Sequence, residues 1–262
     1  MSYPLHLIDA FTERPFAGNP AAVCLLSEAK PDAWLQQVAN EMNQAETAFL
    51  RALPDGFELR WFTPTVEVDL CGHATLASAH FLWEEGHLAR EAVARFTTRS
   101  GVLTAELRDH AITLDFPATP PRPCPDPPGL LEALGCGAAE VLQSAFDYFV
   151  VLEHAATLRG LTPDLRALNA IPARGVIVTA PSDTAGADFL SRFFAPQVGV
   201  DEDPVTGSAH CALAPYWALR LGRNRLVGWQ LSARGGVVGV EVAGDRVRLS
   251  GRAATVVRGR LL

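Results

Sequence analysis

The chain has 262 residues, with 22 basic against 29 acidic side chains and a formal net charge of −7. That sign excludes a nucleic-acid binder that works by bulk positive charge. With 48% hydrophobic and 19% charged residues, the chain is no disordered segment, and a protein of this length buries roughly 70–75% of the surface its unfolded form exposes.

The first residues, Met1-Ser2-Tyr3-Pro4-Leu5-His6, lack the basic flank and apolar stretch of a signal peptide, and no apolar run reaches the roughly 18 residues of a membrane span. A cytoplasmic protein with neither membrane nor nucleic-acid partners is expected. The single lysine, Lys30, lies in the turn-like stretch Ser27-Glu28-Ala29-Lys30-Pro31, because the residue before proline is pushed out of helix. This argues against a Schiff-base lysine for pyridoxal phosphate and removes the phosphate-binding Gly-Lys-Ser/Thr loop. The five cysteines, Cys24, Cys71, Cys124, Cys136 and Cys211, are odd in number and widely spaced, and are expected to be free thiols. No zinc-knuckle spacing and no His-Glu-x-x-His occur, so no metal site is expected, although Cys71-x-His73 offers two ligands.

Glu46 is the only ionisable side chain of the strand-like run Ala45-Glu46-Thr47-Ala48-Phe49-Leu50. A carboxyl among apolar neighbours loses hydration in its charged form, which raises its pKa toward the range where it both takes and returns a proton. The plainer alternative is an edge-strand Glu paired with Arg51 or Arg60. Farther on, Asp69-Leu70-Cys71-Gly72-His73-Ala74-Thr75 forms a tight small-residue turn before an Ala- and Leu-rich helix over 74–85. Strands at 102–107 and 111–116 then flank Arg108-Asp109-His110 as a hairpin.

This unit recurs. Shifted by 135 residues, 67–114 aligns with 202–249 without a gap and with 11 of 48 positions identical, among them Glu67/Glu202, Gly72/Gly207, Ala77/Ala212 and Gly101/Gly236. A second block matches at a shift of 132: Phe57, Arg60, Phe62 and Pro64 against Phe189, Arg192, Phe194 and Pro196. Between the copies lies 117–128, with seven prolines in 12 residues, which reads as a stiff linker that is neither helix nor sheet interior. The second copy brings the turn Asp203-Pro204-Val205-Thr206-Gly207-Ser208, a helix over 209–221 and a second hairpin. The expected organisation is α+β in two halves, 1–116 and 117–252, with the tail strand 253–262 completing the first. The opening amides of a helix have no internal partners and carry the positive end of its dipole, so each turn is a receptor for a carboxylate. Asp203 reads either as a turn residue or as a group that holds His73 or a substrate amine.

Four segments in order, 16–23 (Phe-Ala-Gly-Asn-Pro-Ala-Ala-Val), 43–49 (Asn-Gln-Ala-Glu-Thr-Ala-Phe), 62–75 (Phe-Thr-Pro through Gly-His-Ala-Thr) and 203–209 (Asp-Pro-Val-Thr-Gly-Ser-Ala), resemble the successive motifs of the phenazine-biosynthesis PhzF-like family. The resemblance implies a diaminopimelate epimerase-like fold: two pseudo-symmetric halves, each a curved, mostly antiparallel sheet around a central helix, with the site between them and no cofactor. It implies a cofactor-independent isomerase that moves a proton on a small carboxylate such as dihydro-3-hydroxyanthranilate. Carried over position by position, it makes Glu46 the general acid/base with His73 and Asp203 as partners, and Asn19, Gly72, Gly207 and Ser208 the substrate-binding residues. It also implies a homodimer. The related epimerases place a thiol at each turn; here Cys71 stands at the first and Thr206 at the second, and a threonine hydroxyl is too weak an acid to replace a thiol. An epimerase or racemase with Cys71 as lone base is the runner-up, against the plainer reading of Cys71 as a buried small hydrophobe. A third reading is a non-catalytic, protein-binding module on the same fold.

Overall fold

The computed structural model describes residues 2–262, which divide into a unit of residues 2–115 with 250–262 and a unit of residues 116–249. The N-terminal half runs β1 (Tyr3–Ala10), β2 (Asn19–Leu26), α1 (Asp32–Met42), β3 (Glu46–Leu53), β4 (Gly56–Phe62), the two-residue β5 (Glu67–Val68), α2 (Gly72–Glu84), β6 (Ala94–Thr98), β7 (Gly101–Arg108) and β8 (Ala111–Pro117). The C-terminal half runs β9 (Arg122–Pro123), α3 (Leu130–Leu134), β10 (Glu140–Gln143), β11 (Asp147–Val151), α4 (Ala155–Arg159), α5 (Leu165–Leu168), β12 (Gly175–Pro181), β13 (Phe189–Phe194), α6 (Gly207–Leu221), β14 (Arg225–Gln230), β15 (Gly236–Ala243) and β16 (Arg246–Gly251). The last strand, β17 (Ala253–Leu261), returns to the N-terminal half and pairs antiparallel with β1.

The two halves repeat one pairing pattern. In the first, β2 and β3 are parallel, β3 and β4 antiparallel, β4 and β6 parallel, and β6 and β7 antiparallel. In the second, β11 and β12, β12 and β13, β13 and β14, and β14 and β15 follow the same sequence of directions. Each half is therefore a mixed, mostly antiparallel sheet of the diaminopimelate epimerase-like type. The duplicated residues do the same work twice. Arg60 on β4 donates from Nε and Nη2 to the two carboxylate oxygens of Glu67 at 2.7 and 2.6 Å; Arg192 on β13 makes the same bidentate pair with Glu202 at 2.7 and 2.9 Å. Each guanidinium also lies over the phenylalanine two residues on, Phe62 at 5.1 Å and Phe194 at 4.9 Å. The clamp ties a strand to the connection that leads into α2 or α6, and its bidentate, ring-stacked geometry suits arginine and not lysine.

Both long helices lie enclosed. Ten of the 13 residues of α2 and ten of the 15 of α6 are buried, including the unbroken run His73–Ala79. Alanine at 74, 77 and 79 lets the strands β1, β2 and β3 approach closely, and the buried hydroxyls bond back into their own helix: Thr75 Oγ1 donates to the Cys71 carbonyl at 2.5 Å and Ser78 Oγ to that of Ala74 at 2.7 Å. In the first half a second apolar layer packs α1 on the sheet through Leu35, Val38, Phe49 and Phe62. In the second, Leu130, Leu134, Leu158 and Leu168 from the three short helices pack with Val150, Val176 and Val178 of the sheet. Strands with such neighbours read as near-continuous apolar runs, as in Ala21-Ala22-Val23-Cys24.

Three sequence expectations need correction. The helices begin at Gly72 and Gly207, two residues earlier than read, so both glycines are the first helical residues and neither has positive φ. The proline-rich segment is no bare linker: Arg122 and Pro123 pair with Gln143 and Leu142 at a sheet edge, where proline's missing N–H is tolerated. Its Thr119 amide also donates to the Cys211 carbonyl at 3.0 Å. That carbonyl is the acceptor freed by Pro215 inside α6, since a helical proline has no N–H for the residue four back. The linker thus repairs the helix.

Packing this close makes volume the sensitive variable. Ala77→Leu and Ala212→Leu, both at fully buried positions, are each expected to lower stability by about 1–3 kcal/mol, read as a lower urea midpoint at unchanged slope. Leu219→Ala on the exposed face of α6 should leave the midpoint where it is.

Candidate active site

In the N-terminal half the candidate residues converge on one end of the sheet. Parallel pairing sets the start of β3 beside the start of β2, with Glu46 opposite Ala21, and α2 packs on both strands. Sequence explains each approach. Gly18 has φ +65°, and a Cβ there would lie 2.1 Å from the Ala10 carbonyl oxygen, so only glycine lets the chain enter β2 at Asn19. Asn43, in the left-handed conformation, ends α1 and turns the chain toward β3.

The result is a cluster of Glu46, Cys71 and His73. His73 Nε2 lies 3.3 Å from Glu46 Oε2, with the side chains 7% and 19% exposed, and His73 Nδ1 lies 3.5 Å from Cys71 Sγ. Charge attraction is not what joins the first pair: burial pushes the His73 pKa down to about 4, a hydrogen bond with the Pro20 backbone opposing it. The imidazole is neutral at pH 7. The Nε2 contact also falls outside hydrogen-bond geometry and leaves that nitrogen without a partner among the described residues. Arg51 and Arg60, the alternative partners for Glu46, bond Glu58 and Glu67 instead. Asn19 is fully buried at the start of β2. No side chain caps α2.

In the C-terminal half the start of α6 is built differently. Thr206 sits at the N-cap, yet no side chain caps the helix: its hydroxyl donates to Asp203 Oδ2 at 2.5 Å. Gln230 braces this turn, accepting from the Thr206 amide at 2.9 Å and donating to the Asp203 carbonyl at 2.7 Å. Gly207 is buried and Ser208 half-buried. His210 is a packing residue: its Nδ1 bonds the Thr206 carbonyl at 2.8 Å, its ring lies against Phe189, and burial pushes its pKa to about 4. One residue the sequence reading passed over stands here. Arg174 Nη2 donates to Ser208 Oγ at 3.0 Å; it lies outside the repeat and in no motif, so only the fold reveals it.

All five cysteines are free. Glu46, Cys71 and His73 offer ligand atoms within 4.8 Å of one another, as do His6, Glu84 and Glu85. The first trio is a mixed thiol, imidazole and carboxylate donor set of the kind soft divalent metals accept. Among the described residues no helix is long and apolar enough to cross a membrane.

A family model described as phenazine biosynthesis-like protein, PhzC-PhzF, matches residues 8–259. The chain belongs to this family. It is 49% identical to an uncharacterized isomerase of Halalkalibacterium halodurans and 51% identical to one of Pseudomonas aeruginosa, each alignment covering 100% of this chain and 99% of the relative. The crystal structure of a PhzF family protein from Enterococcus faecalis superposes with a TM-score of 0.95 at 43% identity over 100% of both chains. Both of these curated relatives are named as isomerases.

The buried histidines couple stability to pH. Between about 4 and about 6.5 the unfolded chain binds protons that folded His73 and His210 refuse, so stability rises with pH across that window and falls on acidification. Each is expected to contribute up to about 3 kcal/mol of loss below the window. Urea midpoints from pH 7 to pH 4 should fall less steeply in His210→Asn than in the parent protein.

Proposed function

We propose that this chain is a cofactor-independent isomerase that moves a proton along a small conjugated carboxylate of the dihydro-3-hydroxyanthranilate kind, with Glu46 as the general acid/base. The observation that carries the reading is the Glu46 carboxylate 3.3 Å from a buried, neutral His73, at the uncapped start of a buried helix. Glu46 removes a proton from a ring carbon, the electron pair passes into the conjugated system toward the carboxylate, and the same carboxyl returns the proton to another carbon on the same face. No redox change occurs. His73, as a neutral donor, orients Glu46 or the substrate hydroxyl without adding a charge that would hold Glu46 ionised. Helix-start amides at Gly72 and at Gly207-Ser208 are assigned to the substrate carboxylate, where they offset the charge that develops in the transition state. Asp203 is assigned as a partner in proton transfer or in holding the substrate amine, and Asn19 to substrate binding.

One contact favours a second reading. Cys71 Sγ stands 3.5 Å from His73 Nδ1, and an epimerase would use that thiol as its base. Deuterium uptake from heavy water into a panel of cyclic amino acids and anthranilate-like carboxylates, followed by NMR, separates the two. Glu46→Gln is expected to reduce uptake by about 10²- to 10⁴-fold, with Cys71→Ala within about tenfold of the parent. The reverse pattern would establish the epimerase. Full uptake in Glu46→Gln and Cys71→Ala alike would remove both.

A further inference from the structure

We propose that Arg174 fixes the hydrogen-bonding polarity of Ser208 and so makes the start of α6 selective for a carboxylate over the corresponding carboxamide; the inference rests on the assignment of Ser208 to substrate binding. Arg174 precedes β12 and is held from several sides. Its Nε and Nη2 donate to the two oxygens of Asp147 at 2.8 and 2.5 Å, and the Asp147 side chain is only 2% exposed. The guanidinium carbon lies 5.1 Å from the Phe146 ring and 5.7 Å from that of Phe193. From this fixed position Nη2 reaches Ser208 Oγ at 3.0 Å.

A guanidinium has five donors, no acceptor, and no accessible neutral form. In the contact with Ser208 the hydroxyl must therefore accept, and its own hydrogen cannot point toward Arg174. No other side-chain bond of Ser208 occurs among the described residues, so that hydrogen is left for a ligand. A free serine hydroxyl turns to donate or accept as its partner requires; this one is committed to donating. The first-turn amides beside it are donors too. Such a site takes an acceptor with two oxygens and has nothing to offer the NH₂ group of a carboxamide. Asp147 neutralises Arg174, so the arginine acts by orientation and not as a counter-ion, which makes it a positioning residue. Lysine would preserve the charge beside Asp147 but lacks the planar fork that spans both partners.

The test is calorimetric binding of anthranilate and of anthranilamide to the full chain. The parent protein should prefer the carboxylate by about tenfold or more, the range of one hydrogen bond to a charged group. Arg174→Lys and Ser208→Ala should each remove most of that preference, and the double variant should lose no more than Ser208→Ala alone. Arg174→Gln with Asp147→Asn, which replaces the buried ion pair by a neutral hydrogen-bonded pair and guards against an unpaired carboxylate, should behave like Arg174→Lys. Unchanged preference in the Arg174 variants, additive losses in the double variant, or a parent protein that binds both compounds equally or neither would each overturn the proposal. Glu46→Gln separates it from the proposed reaction: that variant should lose proton exchange yet keep the carboxylate preference, and if exchange survives, the reaction fails while the role of Arg174 stands.

Discussion

Each half of this protein is organised around a helix enclosed by its own sheet, and that enclosure constrains nearly every residue near it. A helix buried over most of its length needs small side chains where strands approach, which Ala74, Ala77 and Ala79 supply in α2. It must also satisfy its own polar side chains, as Thr75 and Ser78 do by bonding carbonyls one turn back. Where proline interrupts the ladder in α6, an outside amide, that of Thr119, takes the orphaned carbonyl. The first turns of both helices carry no side-chain cap, and they are where the family motifs fall.

The duplicated ion pairs show how those first turns are aimed. Arg60 with Glu67 and Arg192 with Glu202 fasten the connection into each helix with the same atoms in the same roles. Around this shared frame the two copies have diverged. The first carries a titratable set, Glu46, Cys71 and His73, suited to moving protons. The second carries hydroxyls of fixed direction: Thr206 is turned to Asp203 and Ser208 is held by Arg174.

Much of this was legible in the residues alone, and the exceptions share a cause. The repeat, both hairpins and both long helices follow from local pattern, because alternation and Ala/Leu content act within a few residues. Glycine misled at 72 and 207: it reads as a turn former, yet here it opens a helix, since burial against the strands outweighs its poor propensity. The convergence of Glu46 with His73 depends on β2 and β3 lying parallel, which no local pattern encodes. Arg174 was invisible because Ser208 lies 34 residues away along the chain, and only the order of strands brings the two into contact.

The return of β17 to β1 has a consequence for how the molecule is made. Strand β1 pairs along its length with residues 253–261, which follow it in the chain by more than two hundred positions. Until those residues emerge, one side of β1 has its backbone donors and acceptors open, an adhesive margin for any neighbouring nascent chain. The C-terminal half, continuous from 116 to 249, can complete itself while the N-terminal half waits. The sheet that carries Glu46 and packs on α2 thus waits for a strand far along the chain, and a synthesis interrupted after residue 249 leaves β1 without that partner.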